Sequence, residues 1–327
     1  SHSEQSGNKI TNWNINSQGY RTNLENESLV NKISCYGDSF TFARQVNDNE
    51  TWEYYLSKLT NTNVKNFGVG NYGLDQSLLR LKREFLKNKS EIVILGVVPD
   101  TISRIVSVWK HYYEYGNTFG FKPRFYLKNN ELCLFENIIN SESKFSNYDL
   151  YLNKIQNFDF FYSKKFKKEL LSFPYSISIL KNPKRNILII FWIFLSIFFK
   201  FFKKNTSAIE FKAKEIIMNI NLKWRLFLFN DDDTLILFKK ILEDYVEFSK
   251  QNNFKAIFIF FPQKDDVLFI KSKYHFYKNL VKQISSIDGL CFIDILQSFI
   301  EEKNIDSLYS DDNSYGGHYS VEGNKKI

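Results

Sequence analysis

Three cysteines, an odd number without paired spacing, exclude a disulfide framework as the basis of the fold. Cys35 and Cys291 lie inside apolar, strand-like runs, where a cysteine serves as a small core residue. Histidine is no richer. His2, His111, His275 and His318 are scattered, no Cys/His spacing suits zinc, and neither a metal nor a cofactor is expected. The first seven residues are polar and read as a frayed end, without the positively charged and apolar run of a signal sequence. Negative charge is missing from one block. Lys164, Lys165, Lys167, Lys168, Lys181, Lys184, Arg185, Lys200, Lys203 and Lys204 face Glu169 alone, so a formal charge of +8 leaves the rest of the chain at −1. These cations flank an apolar run rather than aromatic stacking platforms, which argues against a nucleic-acid partner.

What is present is a folding chain of 327 residues, 43% hydrophobic and 17% aromatic, long enough for one large domain or a domain with an insertion. Strand-like runs alternate with helical periodicity. A β-type run starting at Ile33 breaks at Gly37, and Asp48-Asn49-Glu50-Thr51 offers caps to a helix with Trp52, Tyr55, Leu56 and Leu59 on one face. A strand over 64–67 leads through a glycine-rich turn to a helix capped by Asp75, with Leu78, Leu81 and Phe85 inward, and then to a strand over 91–96. The alternation returns late. Asp231–Asp233 caps a helix burying Phe238, Ile241, Leu242, Tyr245 and Phe248, and strands follow over 256–261 and 290–293, separated by a helix over 274–284 that includes His275. Five parallel strands with short connections imply an α/β fold, a flavodoxin-like three-layer α/β/α sandwich. The expected layout is an N-terminal arm over 1–30, the α/β domain over 31–104 and 226–327, and a largely helical insertion over 105–225.

In such sheets ligands bind at the carboxyl ends of the strands. Two residues there point to acyl chemistry. Gly37-Asp38-Ser39-Phe40 delivers a serine straight after a strand, and Gly316-Gly317-His318-Tyr319 holds a histidine in a glycine-flanked loop. A serine hydroxyl needs such a base, together with donors aimed at the oxyanion, to attack an ester. A helix starting at Ser39 would add its dipole. Asp38 reads as orienting the loop.

These two segments, with Gly19-Tyr20-Arg21-Thr22-Asn23 and the second block from Asn66 to Gln76, resemble the SGNH/GDSL hydrolase superfamily, in particular its branch associated with bacterial polysaccharide metabolism. The resemblance implies Ser39 as nucleophile, His318 as base and an N-terminal arm tucked by the Gly19-Tyr20-Arg21 segment. It also implies three oxyanion donors: the Ser39 N–H, a glycine N–H in the second block and an asparagine side chain in the third. Here Asn71 stands where that glycine aligns, beside Gly70, and asparagine tolerates left-handed geometry. The third block, Leu95-Gly96-Val97-Val98-Pro99-Asp100, has no asparagine. An unreplaced donor costs about 3–4 kcal/mol of transition-state stabilisation. Asn71 and Arg104 are candidates to replace it, and Asp100 and Arg104 are expected against the substrate. The family's aspartate three residues before the histidine is Tyr315 here. Asp312 is the first choice for the acid, ahead of Asp311 and Asp294, and a Ser-His dyad is the alternative.

The implied function is an acyl-ester hydrolase acting on an acylated carbohydrate or lipid-linked glycan. An O-acyltransferase using the same serine, or a non-catalytic binding protein on the same fold, is the alternative. Residues 187–199, from Ile187 to Phe199, form a run that is apolar all round as a helix and so must be buried in something. At 1.5 Å per residue it reaches about 20 Å, short of the ~30 Å hydrocarbon core, so spanning is not expected. Core packing and peripheral membrane contact are both open to it.

Overall fold

The structure, a computed structural model, describes residues 2–6, 9–22, 25–114, 120–202, 206–310 and 317–327. The chain divides into two compact units. The first comprises Ser1–Ile105, Phe125–Leu134 and Asp231–Ile327, the second Val106–Arg124 and Phe135–Asn230.

The first unit opens with a hairpin of β1 (His2–Ser6) and β2 (Lys9–Trp13). Its centre is a parallel sheet of β3 (Asn31–Gly37), β4 (Asn63–Gly68) and β5 (Ile92–Val97), completed beyond the hairpin β6 (Arg124–Lys128) and β7 (Glu131–Phe135) by β8 (Lys255–Phe260) and β9 (Leu290–Asp294). The order β4-β3-β5-β8-β9 is the flavodoxin-like 2-1-3-4-5, with helices on both sides. Val93, Leu95, Val97, Phe258 and Phe260 are buried, as central parallel strands covered on both faces require. Tyr245, on the helix Asp232–Asn252, donates to Val93 O at 2.8 Å and ties that helix to β5. Asp231 caps the helix by accepting Thr234 N–H at 3.1 Å.

Local differences from the sequence reading have physical causes. Residues 39–45 form a turn, not a helix: Arg44 N–H reaches Ser39 O, and Ala43 and Gln45 sit at φ 53° and 72°. Thr51 caps the helix Trp52–Thr60, and Leu59 lies on its exposed side. Gly73, not Asp75, holds the cap position of the helix Leu74–Glu84. The segment expected as one helix over 274–284 follows an unforeseen helix, Lys264–Ser272, and becomes helical only at Lys278–Ser285. His275 lies in the turn between them.

The second unit is mostly helical. A buried carboxylate, Asp159, accepts Val108 N–H (2.7 Å), Trp109 N–H (2.9 Å) and Phe161 N–H (2.8 Å) and organises an aromatic core of Trp109, Tyr112 and Phe161. The helices Pro183–Phe201 and Ser207–Leu228 pack against one another.

Candidate active site

Three glycines prepare the floor of the site. Gly37 pairs in register with Gly68 on one side and with Gly96 on the other, so one row of glycines crosses β4, β3 and β5 at their carboxyl ends. A Cβ at Gly37 would land on Gly96 O, and one at Gly68 on the backbone of Phe42. The row lets the turn 39–45 fold back against the sheet. Thr41 Oγ1 donates to Gly96 O at 2.7 Å, and Asn66 Nδ2 donates to Thr41 O at 2.8 Å.

Asp38 begins that turn in complete burial. Its Oδ1 accepts Phe40 N–H at 2.8 Å, and its Oδ2 accepts Val98 N–H at 3.0 Å and Arg104 Nη1 at 3.2 Å. Burial pushes its pKa up, opposed by the Arg104 charge and the two N–H groups. These bonds cross between β3 and β5, the point at which the strand order reverses. Arg104 also donates to Tyr72 O at 2.9 Å and to Asp100 at 3.3 Å. One guanidinium therefore links the loops that follow β3, β4 and β5.

Arg21 completes the scaffold from the N-terminal arm. Its guanidinium pairs with Asp48 at 2.8 Å and donates to the carbonyls of Phe42 (2.8 Å), Ala43 (2.8 Å) and Val46 (2.7 Å). These carbonyls end a turn whose residues Ala43 and Gln45 occupy left-handed backbone, a costly conformation held by its surroundings.

His318 meets Ser39 across the chain's full length: its Nε2 lies 2.8 Å from Ser39 Oγ. Ser39 is 9% exposed. The His318 backbone N–H donates to Gln45 Oε1 at 3.3 Å, and the ring lies against Phe40 with centroids 4.9 Å apart. The chain that follows His318 is anchored twice. Tyr319 donates to Pro262 O at 2.9 Å, and Asn324, on the helix Val321–Lys326, accepts Trp52 N–H at 3.1 Å.

The other expected site residues fall as follows. Gly70 and Asn71 form a turn closed by Tyr72 N–H on Val69 O, with Asn71 at φ 67°. Asp100 and Arg104 are paired with one another on the helix Thr101–Arg104 and its cap. Asp312 and Asp311 lie outside the described residues. Asp294 accepts Leu296 N–H at 3.0 Å and the Tyr277 hydroxyl at 3.4 Å, and burial raises its pKa to about 6. Ser39 opens the turn 39–45 rather than a helix, so that segment does not supply the expected helix dipole. Among the described residues no group of three or more His, Cys, Asp or Glu side chains is placed to hold a metal ion.

Arg21, Asn324 and the glycine row were not read as parts of the site from sequence. The available signal was a glycine closing each of three successive strands, Gly37, Gly68 and Gly96.

Neither a family model nor a curated protein matches the chain. Among solved structures it is similar to one described as a "putative lipolytic protein of G-D-S-L family from Desulfitobacterium hafniense DCB-2". The two share 12% identity over 90% of this chain and 93% of the other, with a TM-score of 0.38. At that score the likeness adds no weight to the site, which stands on its own geometry.

Proposed function

We propose that the chain is a serine-dependent acyl-ester hydrolase working through an acyl-Ser39 intermediate. The observation that carries this reading is the 2.8 Å approach of His318 Nε2 to Ser39 Oγ. Ser39 Oγ attacks the acyl carbon while its proton passes to His318 Nε2. The bond to the alcohol then breaks, and the imidazolium returns the proton to the departing oxygen. Water, deprotonated by His318, attacks the acyl-enzyme; the acyl–Ser39 Oγ bond breaks, the imidazolium returns its proton to Oγ, and the acid leaves. The N–H groups of Ser39 and of the Gly70–Asn71 turn are the oxyanion donors this reading calls on. Asp38 and Arg104 act as positioning residues, and Asp312 remains the proposed partner of His318.

The substrate class proposed is an acylated carbohydrate or lipid-linked glycan, on the strength of the sequence blocks; a sugar hydroxyl in place of water would make the same serine an O-acyltransferase. A non-catalytic binding role has one observation in its favour. Val98 N–H is donated to Asp38 and Pro99 has no N–H, so the third block gives neither to an oxyanion. Turnover of short acyl esters decides between the two. Hydrolysis by the folded wild type should fall by about four orders of magnitude in both Ser39→Ala and His318→Ala. A wild type that hydrolyses no acyl ester and transfers no acyl group would leave the binding role.

A further inference from the structure

The helix Pro183–Phe201 carries its side chains inside out. Its two buried residues are Asn186 and Ser196, while Phe191, Phe194, Ile197 and Phe198 are exposed, Phe194 at 67%. Asn186 Nδ2 donates to Ile179 O at 3.2 Å, and Ser196 Oγ to Glu210 Oε1 at 3.0 Å. Small polar groups towards the neighbouring helix with large apolar groups outward is the distribution of helices in lipid. The preceding helix Tyr175–Leu180 extends the surface with Ile177 and with Leu180, which is 70% exposed. Apolar surface on this scale marks an interaction site.

A basic cleft of about 620 Å³ adjoins that surface and shares Leu188 with it. Six cations line the cleft, with Glu169 as the one carboxylate. Glu169 is already shared by Lys165 and Arg185, each at 3.3 Å, whereas Lys164, Lys168, Lys184 and Lys223 are exposed. Arg185 Nε is buried with no hydrogen-bond partner among the described residues. Trp224 and Phe227 supply an apolar wall. Cations over apolar walls suit a phosphate carrying hydrocarbon.

We propose that the second unit docks on an anionic bilayer leaflet, with the helix Pro183–Phe201 lying in the plane of the interface and the Lys168–Lys184 cleft holding a phospholipid phosphate. No helix among the described residues is long and apolar enough to cross a membrane, and this one carries Lys184, Arg185 and Lys200, so it lies in one leaflet. Charge selects lipid over a second copy of the chain: a two-fold contact through this face would bring the same cations together, whereas anionic headgroups neutralise them. The proposal does not depend on the chemistry at Ser39.

Sedimentation of the full chain with vesicles tests it. The protein should pellet with an equal mixture of phosphatidylglycerol and phosphatidylcholine, not with phosphatidylcholine alone, and less as salt rises. Lys168→Glu with Lys184→Glu should lower the partition coefficient at least about tenfold. Phe191→Ser, Phe194→Ser and Phe198→Ser together should abolish binding while the protein stays folded, since all three side chains are exposed. A wild type that ignores the anionic vesicles overturns the proposal, and so does binding that both sets of substitutions leave unchanged. An oligomer that the phenylalanine variant converts to monomers also overturns it and assigns the face to a second copy.

Discussion

Two long helices, Asp232–Asn252 in the first unit and Pro183–Phe201 in the second, distribute their side chains in opposite ways. The former buries Leu235, Phe238, Ile241, Leu242 and Tyr245 beside the sheet and turns its charges outward. The latter buries Asn186 and Ser196 and turns phenylalanines outward. The same chain thus applies the rule of a water-facing helix in one unit and its inverse in the other. Where apolar surface is buried, as around the glycine row, polar groups can be held in a defined geometry, and Ser39 and His318 meet there. Where it is left outside, the proposed docking on a bilayer leaflet would supply another apolar phase.

The scaffold side of this contrast breaks most severely at Arg21. Arg21→Met removes the donor to Asp48 Oδ1 and to the carbonyls of Phe42, Ala43 and Val46, so stability should fall by about 3–5 kcal/mol in urea titration. The turn that carries Ser39 should loosen as well, lowering kcat in the protein that remains folded. Unchanged stability would mean that the arm is decoration. Matched phenylalanine truncations then sharpen the comparison. Phe238→Ala, at a fully buried position, should cost about 3–5 kcal/mol, while Phe194→Ala, 67% exposed, should change stability by no more than about 0.5 kcal/mol. Similar losses at both positions would show that the outer helix is covered in the protein's own assembly.

Much of the first unit was legible in its sequence because its signals are local and physical. All five strands of the sheet lie within two residues of where the apolar runs put them, and Asp231 caps the helix it precedes. The pairing of residues 39 and 318 was legible only through sequence blocks, since no local rule brings together positions 279 apart. The turn after Ser39 was not legible. Its left-handed residues are Ala43 and Gln45, not glycines, and the groups that hold them come from Arg21, far back in the chain. The helix Lys264–Ser272 was missed although its acidic first turn was on view: Asp266 accepts Gln263 N–H at 3.0 Å. The run 187–199 was read as open to core packing or to contact with a membrane surface. In the structure Phe191, Phe194, Ile197 and Phe198 are exposed, while Ser196, the one polar residue of the run, is buried and donates to Glu210 on the neighbouring helix.

The central claim, that Ser39 is an activated nucleophile, is tested most directly by labelling the folded protein with a fluorophosphonate and locating the adduct by mass spectrometry. The probe needs no knowledge of the acyl group or its acceptor. The account predicts one adduct, on Ser39, absent in Ser39→Ala and formed far more slowly in His318→Ala. A folded wild type that takes no label, or takes it at another serine with Ser39 unmodified, would contradict it.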